Sequence, residues 1–389
     1  MPILGRPSII SSVALPSSVV VRNKCLVWGL MLAVTVIVTF RPQHFSDSQV
    51  DFGVASTGTG INEPPLLGLQ PLHCEEYLDD IYDGTLNISD PNQLKMYSRR
   101  IEEFPGGPFW ISVHEQKFDH VRWETIFMNG KFYESAVDAA FVEILLQSSP
   151  DARVMDVGGN IGWFTLLSRS MGFSVETFEP MKRNSARLCE SLRLNRWTND
   201  VETTLGTARR YVNVHDVALG ETETSQQFNF HPVNPGEGSL HDIVGLDTKW
   251  KDSNAKRSDI VTVATLDSFA RGRGWFDVPI EIAILKVDIE GYEPNVFAGA
   301  KQLLASHMIQ NILLEMSPNK PLHNEISNIE MLTTMFDAGY KLHKVGYYMG
   351  PKNPNPFPHA SSTRILAEKL VNMTMKHNVQ QMNLWLKVV

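Results

Sequence analysis

The sequence predicts a three-layer α/β domain, with a largely parallel sheet between helices, behind an N-terminal membrane anchor and a stem. Two observations predict the domain. After Asp151, apolar strand-like segments alternate with helical segments, and the first of these strands ends in the glycine-rich turn VMDVGGNIG. Such alternation is typical of βαβ units with parallel strands. A charge-free run near the N-terminus predicts the anchor.

The anchor is predicted at residues 25–40, CLVWGLMLAVTVIVTF, which carry no charge and lie between Lys24 and Arg41. The run is somewhat shorter than the roughly 20 residues that cross a typical bilayer, but flanking side chains can snorkel and thinner membranes exist. Basic residues precede the run, and aspartates soon follow Arg41. The positive-inside rule therefore makes residues 1–24 a cytosolic tail and places the remaining chain in the lumen or outside.

A cleaved signal peptide and an organellar transit peptide are the competing interpretations of this N-terminus. No small-x-small cleavage site closes the apolar run, and few arginines precede it, so an uncleaved signal anchor is favoured. Two sequons, at Asn87 and Asn372, are compatible with a lumenal domain. The sequence thus predicts a single-pass type II membrane protein of the Golgi or another endomembrane. It does not decide whether Cys74 and Cys189 pair.

Residues 41–70 are predicted to be a flexible stem, because they are polar and rich in Gly, Ser and Thr. Residues 71–150 are predicted to be an N-terminal cap segment of the domain. In this segment FWISVHE and WETIFMNGKFYE predict short strands, the second folded around an Asn129-Gly130 turn. Apolar residues at helical spacing then predict a helix from Glu134 to Gln147.

Residues 151–389 are predicted to be the main domain. Its predicted strands are ARVMDV, FSVETFE, YVNVHDVAL, EIAILKVDIE, NILLEM and MNLWLKVV, and helices such as NSARLCESLRLN and NVFAGAKQLLAS lie between them. Ligands of such sheets bind at the carboxyl ends of the strands, so polar residues matter most where strands finish. The formal net charge is -8, from 43 acidic and 35 basic residues, which provides no broad positive field for binding nucleic acid.

The turn VMDVGGNIG ends a predicted strand and leads into a helix near Trp163. Its glycines allow positive φ and let a ligand lie against the main chain. A dinucleotide fingerprint starting at Gly158 would need glycines where Asn160 and Trp163 stand, and no G-x-x-x-x-G-K-[ST] sequence occurs. The turn is therefore poorly suited to a pyrophosphate.

Glu179 ends the next predicted strand, about 20 residues after the turn, where an acid accepts both hydroxyls of a ribose in nucleoside-binding βαβ units. A glycine turn and a ribose acid without a phosphate site indicate an adenosine ligand that lacks phosphates. S-adenosylmethionine is the obvious ligand of this kind. Asp156, beside the turn, would then orient the cationic methionine end of the cofactor.

The segments VMDVGGNIGWFTL, VETFEP, HDVALG, VATLDSF, ILKVDIEGYEPNVFAGA and NILLEMSP, in this order, resemble the FkbM-type methyltransferases over roughly residues 110–389. The resemblance implies a class I methyltransferase fold, which is Rossmann-like with seven strands and an antiparallel last strand, and S-adenosylmethionine as methyl donor. Gly159 stands where the family more often has alanine, an exchange that we expect to be harmless. The implied cofactor contacts are Asp156, Gly158, Asn160 and Gly162 at the methionine end, Glu179 at the ribose, and Asp216 and Ala218 near the adenine.

Three charged residues of ILKVDIEGYE, namely Lys286, Asp288 and Glu290, share one strand face because side chains alternate along a strand. Burying unpaired charge in a parallel strand is costly, so either Lys286 neutralises an acid or the acids have a function. A catalytic function is favoured for Asp288 and Glu290, and Glu293 is a third candidate. Weaker candidates, each more often structural when isolated, are Glu315, His215, His231 and His241.

Methyl transfer is an in-line displacement, so the protein mainly aligns the acceptor and removes its proton. Asp288 or Glu290 could be the base that takes this proton. Alternatively, both carboxylates could hold a divalent cation that acidifies the acceptor oxygen. The sequence does not choose between these mechanisms, so a metal is possible and its ligands are unknown.

The sequence therefore predicts an S-adenosylmethionine-dependent methyltransferase that O-methylates a hydroxyl of a glycan, glycoconjugate or small metabolite in the secretory lumen. Two alternatives stay open. A Golgi type II glycosyltransferase has the same anchor and stem, and Asp288-Ile289-Glu290 could imitate its metal-binding acid pair. A non-catalytic binding protein could keep the fold, although the intact acids Asp156 and Glu179 argue against that alternative.

Overall fold

A seven-stranded mixed sheet forms the centre of the domain in a computed structural model of the chain. The structure describes residues 70–82, 97–132, 134–198, 210–231, 234–240, 258–318, 325–346, 362–376 and 381–389. Their strands are β1 (Ser98–Ile101), β2 (Phe109–Ser112), β3 (Arg153–Val157), β4 (Ser174–Phe178), β5 (Val212–His215), β6 (Ala218–Leu219), β7 (Thr224–His231), β8 (Asn234–Ser239), β9 (Ser258–Ala264), β10 (Ile282–Val287), β11 (Asn311–Met316), β12 (Tyr340–Gly346) and β13 (Met382–Val388).

The strand order of this central sheet is β12, β13, β11, β10, β3, β4, β5. From β5 to β11 the neighbouring strands are parallel, whereas β13 is antiparallel to both β11 and β12. Every residue of β4 and β10 is buried, which explains why β10 is apolar in sequence except for Lys286. The predicted α/β class is confirmed.

Helices cover both faces of the central sheet. They are α1 (Cys74–Tyr82), α2 (His120–Arg122), α3 (Ser135–Gln147), α4 (Trp163–Ser170), α5 (Lys182–Asn195), α6 (Leu266–Gly272), α7 (Glu293–Ala298), α8 (Lys301–Ala305), α9 (Glu325–Asp337) and α10 (Thr363–Lys376). Met155 and Val157 of β3 belong to the hydrophobic cluster that includes Phe269 of α6. Val154 belongs to a second cluster with Phe141 of α3. Since side chains alternate along a strand, the two clusters lie on opposite faces.

A second sheet, of order β6, β9, β7, β8, was not predicted. The segment YVNVHDVAL was predicted to be one strand, but it divides into β5 and β6, which belong to different sheets. The sequences of β7, TSQQFNFH, and β8, NPGEGS, contain few residues that favour strands. A small core with Phe228, Val261 and Tyr292 holds this sheet together.

The N-terminal cap differs from its prediction at Trp123–Met128, which is a π-helix and not a strand. The main-chain N–H of Gly130 donates to Ile126 O at 2.8 Å, and that of Lys131 donates to Thr125 O at 2.9 Å. The rings of Trp123 and Phe127 stack with centroids 4.2 Å apart. The main-chain groups of this segment thus bond to nearby residues in helical turns, and the predicted hairpin around Asn129-Gly130 does not form.

A disulfide joins Cys74 of α1 to Cys189 of α5, which answers the question that the sequence left open. The main-chain N–H of Leu72 also donates to Val214 O of β5, at 2.7 Å. The start of the cap is therefore attached to both α5 and the edge strand β5.

The predicted cytosolic tail, the predicted span at residues 25–40 and nearly all of the predicted stem lie outside the described residues. Among the residues that the structure does describe, no helix combines the length and the apolar character needed to cross a membrane.

Candidate active site

The glycine turn after β3 has the backbone conformation that the sequence predicts. Gly158 has φ +80° and Asn160 has φ +50°, in the region where glycine is least strained. A Cβ atom on Gly158 would lie 2.0 Å from the carbonyl oxygen of Asp288. The turn therefore lies directly against the carboxyl end of β10, and only glycine fits at this position.

Gly159 corrects one expectation from the sequence. A Cβ atom at this position would lie 2.2 Å from Cγ2 of Thr177. Alanine therefore requires the Thr177 side chain to move, and the exchange is not harmless in this chain.

A cleft opens at the carboxyl ends of β3, β4 and β10. The predicted site residues that line it are Gly158, Asn160, Glu179, Ala218, Asp288 and Glu290. The remaining predicted residues, which do not line it, are Asp156, Gly162, Asp216 and Glu293. The structure thus brings residues from four separate sequence motifs into one cleft, in the place expected for such a sheet.

Asp156 and Gly162 lie behind the wall of the cleft. Asp156 is 1% exposed, and its Oδ2 accepts a hydrogen bond of 2.6 Å from Thr165 Oγ1. Burial raises the pKa of Asp156, while Lys286 and Thr165 oppose that rise. Gly162 begins α4, and a Cβ atom there would lie 2.3 Å from Cδ1 of Leu188. Both residues therefore have structural contacts next to the glycine turn and do not line the cleft.

Glu179 is the most firmly held polar group of the cleft. Its Oε2 accepts from the main-chain N–H of Asn160 at 2.7 Å, and its Oε1 accepts from that of Met181 at 2.9 Å and from Asn184 Nδ2 at 3.4 Å. Burial raises the pKa of Glu179 to about 7, although these donors lower it. The carboxylate is therefore fixed in orientation, and its charge depends on pH near neutrality.

The second sheet supplies one wall of the cleft with Phe228, Gly238, Ser239 and Leu240. Ala218 of β6 lines the same region, whereas Asp216, just before it, does not. The sequence did not single out the wall residues of β7 and β8, and the alternation of Phe228 and Phe230 in FNF was the one available signal.

Asp288 follows β10 at the mouth of the cleft, where Lys286 Nζ donates to its Oδ2 at 3.0 Å. Burial alone would lower the pKa of Lys286, but Asp288 and Asp156 raise it, so this ammonium stays charged. Glu290 has φ +57°, and its Oε2 accepts from Gln381 Nε2 at 3.0 Å. Because β10 ends at Val287, Asp288 and Glu290 reach the cleft from the turn that follows it. The prediction that they share a strand face with Lys286 is wrong.

Glu293 has a different place from the one predicted. Its Oε1 accepts from the main-chain N–H groups of Gly291, at 2.7 Å, and Ile289, at 3.3 Å. It is 1% exposed and does not line the cleft. We therefore assign Glu293 to holding the turn that carries Glu290.

A partly buried acidic cluster includes Asp288. Glu134, Asp288 and Glu315 each place a carboxylate oxygen within 4.8 Å of the others, a spacing that could hold a metal ion. Burial, followed by the charge of Asp288, raises the pKa of both Glu134 and Glu315. The cluster does not include Glu290, which the sequence paired with Asp288 as possible ligands. Glu134 was missed because the sequence showed it only as the start of a helix.

The candidate histidines do not enter the cleft lining among the described residues. His215 is buried, its Nε2 lies 2.9 Å from Glu176 Oε2, and its ring stacks on Phe178. These contacts are structural. The side chain of His231 and all of His241 lie outside the described part of the chain.

The charge of the cleft limits what it can bind. Among the described residues, its lining has the carboxylates of Glu179, Asp288 and Glu290 and no lysine or arginine. A diphosphate would be repelled by these groups, whereas a cationic sulfonium would be attracted. A fixed carboxylate at the predicted ribose position and apolar walls suit an adenosyl group. The residues present therefore fit S-adenosylmethionine.

Comparisons with known proteins give two further findings and one negative one. No curated protein matches this chain. A solved structure of a Streptococcus mutans protein, assigned as a SAM-dependent methyltransferase, is similar at 10% identity with a TM-score of 0.34. The similarity covers 75% of this chain and 56% of that one, so this chain spans little more than half of its length. A TM-score this low supports no conclusion here.

The family comparison is specific. Residues 156–342 match the family model described as the methyltransferase FkbM domain. This range includes the glycine turn, Glu179, Asp288 and Glu315. The chain therefore contains a methyltransferase FkbM domain, and the resemblance predicted from its sequence is confirmed.

Proposed function

We propose that this chain transfers the methyl group of S-adenosylmethionine to a hydroxyl of a glycan, glycoconjugate or small metabolite. One observation supports the proposal most strongly. Within the FkbM domain, Gly158, Asn160, Glu179 and Asp288 meet in a single cleft that has carboxylates and no cationic side chain among its described lining. The central seven-stranded sheet, in which the last strand β13 is antiparallel to its neighbours, also supports the proposal.

In this proposal each part of the cleft binds one part of the cofactor. Glu179 would accept the ribose hydroxyls, and Ala218, Phe228 and Leu240 would contact the adenine. Asp288 and Glu290 stabilise the cationic end electrostatically. When bound, the cofactor supplies an electrophilic methyl group on a sulfonium.

Asp288 is the group that we assign to the acceptor proton. Lys286 binds Oδ2 of Asp288, which fixes the carboxylate and leaves Oδ1 for the acceptor hydroxyl. A base positioned in this way contributes roughly 100- to 10,000-fold to a rate. If the enzyme is metal-dependent, Glu134, Asp288 and Glu315 are the residues that would hold the ion.

We also propose that the domain works in the lumen of the Golgi or another endomembrane, as part of a type II membrane protein. The charge-free run at residues 25–40 supports this topology. The Cys74–Cys189 disulfide is typical of oxidising compartments. The sequon residue Asn372 is exposed on α10, while Asn87 lies outside the described residues.

The test is methyl transfer from labelled S-adenosylmethionine by the purified full-length chain, with free glycans, glycoproteins and small hydroxylated metabolites as acceptors. We expect label in an alkali-stable methyl ether, and chelation before the assay reports whether a metal takes part. Label in an amine or a thiol would refute O-methylation. Transfer of sugar from a uridine diphosphate sugar would support the glycosyltransferase alternative. Protease protection in sealed microsomes tests the topology, and digestion of the domain there would refute it.

A further inference from the structure

We infer that His114, a residue of the N-terminal cap, is a positioning residue that orients the amide of Asn184 toward Glu179 and thereby prepares the ribose site. This inference rests on the proposed function, because it gives Glu179 the role of ribose acceptor. His114 itself does not line the cleft, whereas Asn184 and Glu179 do.

The three side chains form a continuous chain of hydrogen bonds. His114 Nε2 lies 2.9 Å from Asn184 Oδ1, and Asn184 Nδ2 lies 3.4 Å from Glu179 Oε1. All three residues are at most 5% exposed. His114 follows β2, Asn184 is in the first turn of α5, and Glu179 follows β4, so the chain links the cap to the cleft.

The direction of these hydrogen bonds follows from the chemistry of Glu179. When Glu179 is ionised, its carboxylate only accepts hydrogen bonds, so the Asn184 amide presents its NH₂ group to Glu179 and its carbonyl oxygen to His114. His114 must then carry its proton on Nε2. In the reverse orientation, the Asn184 oxygen would face the Glu179 carboxylate, and two acceptors would meet without a proton between them. The Nε2–H of His114 therefore selects the productive orientation of the amide.

His114 is suited to this role because it stays neutral. Burial, followed by the charge of Arg187, lowers the pKa of His114 to about 3, and Arg122 and Arg183 act in the same direction. The neutral ring carries one N–H, and the hydrogen bond to Asn184 Oδ1 selects the tautomer with the proton on Nε2. Asn184 in turn acts on Glu179 itself. Its hydrogen bond, together with two from main-chain N–H groups, opposes the rise in the pKa of Glu179 that burial causes.

The test is a double-mutant cycle on the affinity for S-adenosylhomocysteine, measured by calorimetry on the full-length chain. We expect His114→Ala to weaken binding about fivefold, the effect of losing one hydrogen bond of about 1 kcal/mol. In a Glu179→Gln background the same change should alter affinity by less than about twofold, because the interaction it supports is already altered. Equal losses in both backgrounds would refute the inference.

Matched variants separate positioning from packing. Gln can place an amide N–H where His places Nε2–H, whereas Asn is one bond too short, so His114→Gln should restore binding and His114→Asn should not. Asn195→Ala removes another contact between the cap and α5, where Asn195 bonds both main-chain polar groups of Trp110, and it should lower stability without changing affinity. An equal loss of affinity in Asn195→Ala would mean that His114 acts only through packing.

A replacement variant and a wild-type measurement separate failure of this inference from failure of the proposed function. If His114→Ala does not fold, Asn184→Ala replaces it in the cycle with the same expectation. If the wild-type chain binds no S-adenosylhomocysteine, the proposed function fails. If it binds in a manner that depends on Glu179 but not on His114 or Asn184, only this inference fails.

Discussion

Glu179 is a buried carboxylate with a pKa near 7, so its charge should govern cofactor affinity at neutral pH. An ionised carboxylate accepts hydroxyls more strongly than a protonated one. We expect the affinity for S-adenosylhomocysteine to rise about fivefold between roughly pH 6 and pH 8, as Glu179 loses its proton. Calorimetry over this range should show a flat profile for Glu179→Gln.

Asp138 provides the control for this pH dependence. Burial raises its pKa to about 7 as well, but it bonds Trp163 Nε1 and does not line the cleft. Asp138→Asn should therefore keep the pH profile of wild type. A pH profile that disappears in Asp138→Asn and persists in Glu179→Gln would contradict this assignment.

The pH dependence of stability has the opposite sign to that of affinity. A carboxyl whose pKa is raised by folding, such as Glu179, destabilises the native state as pH rises from about 4.5 to 7.

Asp288→Asn separates cofactor binding from chemistry. The amide keeps the size of the side chain but cannot take a proton, so we expect a loss of at least about 100-fold in kcat. Affinity for S-adenosylhomocysteine should stay within a few-fold. Single-turnover transfer together with calorimetry measures both quantities. Undiminished turnover would place the base elsewhere, with Glu290 as the next candidate.

At the level of residues, acids at the ends of predicted strands could be assigned to the site from the sequence. Acids that reach the site only through folding could not. Asp288, Glu290 and Glu179 lie at the ends of predicted strands, follow the observed strands β10 and β4, and line the cleft. Glu134 precedes a helix far away in sequence and joins Asp288 and Glu315 only through folding. His114 follows the short cap strand β2, and its sequence context does not single it out before its partner Asn184 is known.

At the level of elements, the glycine turn should tolerate no side chain at position 158. Gly158→Ala combines a positive φ with a contact to the Asp288 carbonyl, so we expect stability to fall by roughly 1–3 kcal/mol or more and cofactor binding to be lost. Gly172 has φ +90°, but nothing lies within 4 Å of the position of its Cβ. Gly172→Ala should therefore cost stability alone. Urea denaturation and calorimetry measure both, and normal binding by Gly158→Ala would contradict the proposed turn.

The disulfide between α1 and α5 closes a loop of 115 residues. Constraining a loop of this size should contribute roughly 2–5 kcal/mol to the free energy of unfolding. Cys74→Ser should lose this contribution, and reduction of the wild-type chain should have the same effect. Equal stability in the presence and absence of reductant would show that the bond does not form in solution.

Strands whose two faces are buried were readily predicted, because continuous apolar sequence is their signature. The second sheet was not predicted, because β8 contains Pro and Gly, which disfavour strands. Pairing with β7 places β8 in the sheet. The Trp, Thr, Ile and Phe residues of Trp123–Met128 favour a strand, but the segment is a π-helix that buries Ile126 in the core. Propensity alone does not encode this burial.

At the level of the whole molecule, the membrane anchor, the stem and the acceptor stay predictions, whereas the methyltransferase FkbM domain is established over residues 156–342. The central claim is that its cleft binds an adenosyl ligand through Glu179. The alternative from another enzyme class requires a nucleoside diphosphate in the same place, which the carboxylate lining disfavours.

Calorimetric titration of S-adenosylhomocysteine into the full-length chain tests this claim most directly, with Glu179→Ala as the variant and uridine diphosphate plus manganese as the comparison. We expect binding of the adenosyl ligand, weakened roughly ten- to a hundredfold in Glu179→Ala by the loss of hydrogen bonds to a charged group. We expect no heat from uridine diphosphate. A signal from uridine diphosphate and none from S-adenosylhomocysteine would contradict the account and mean that the transferred group is a sugar.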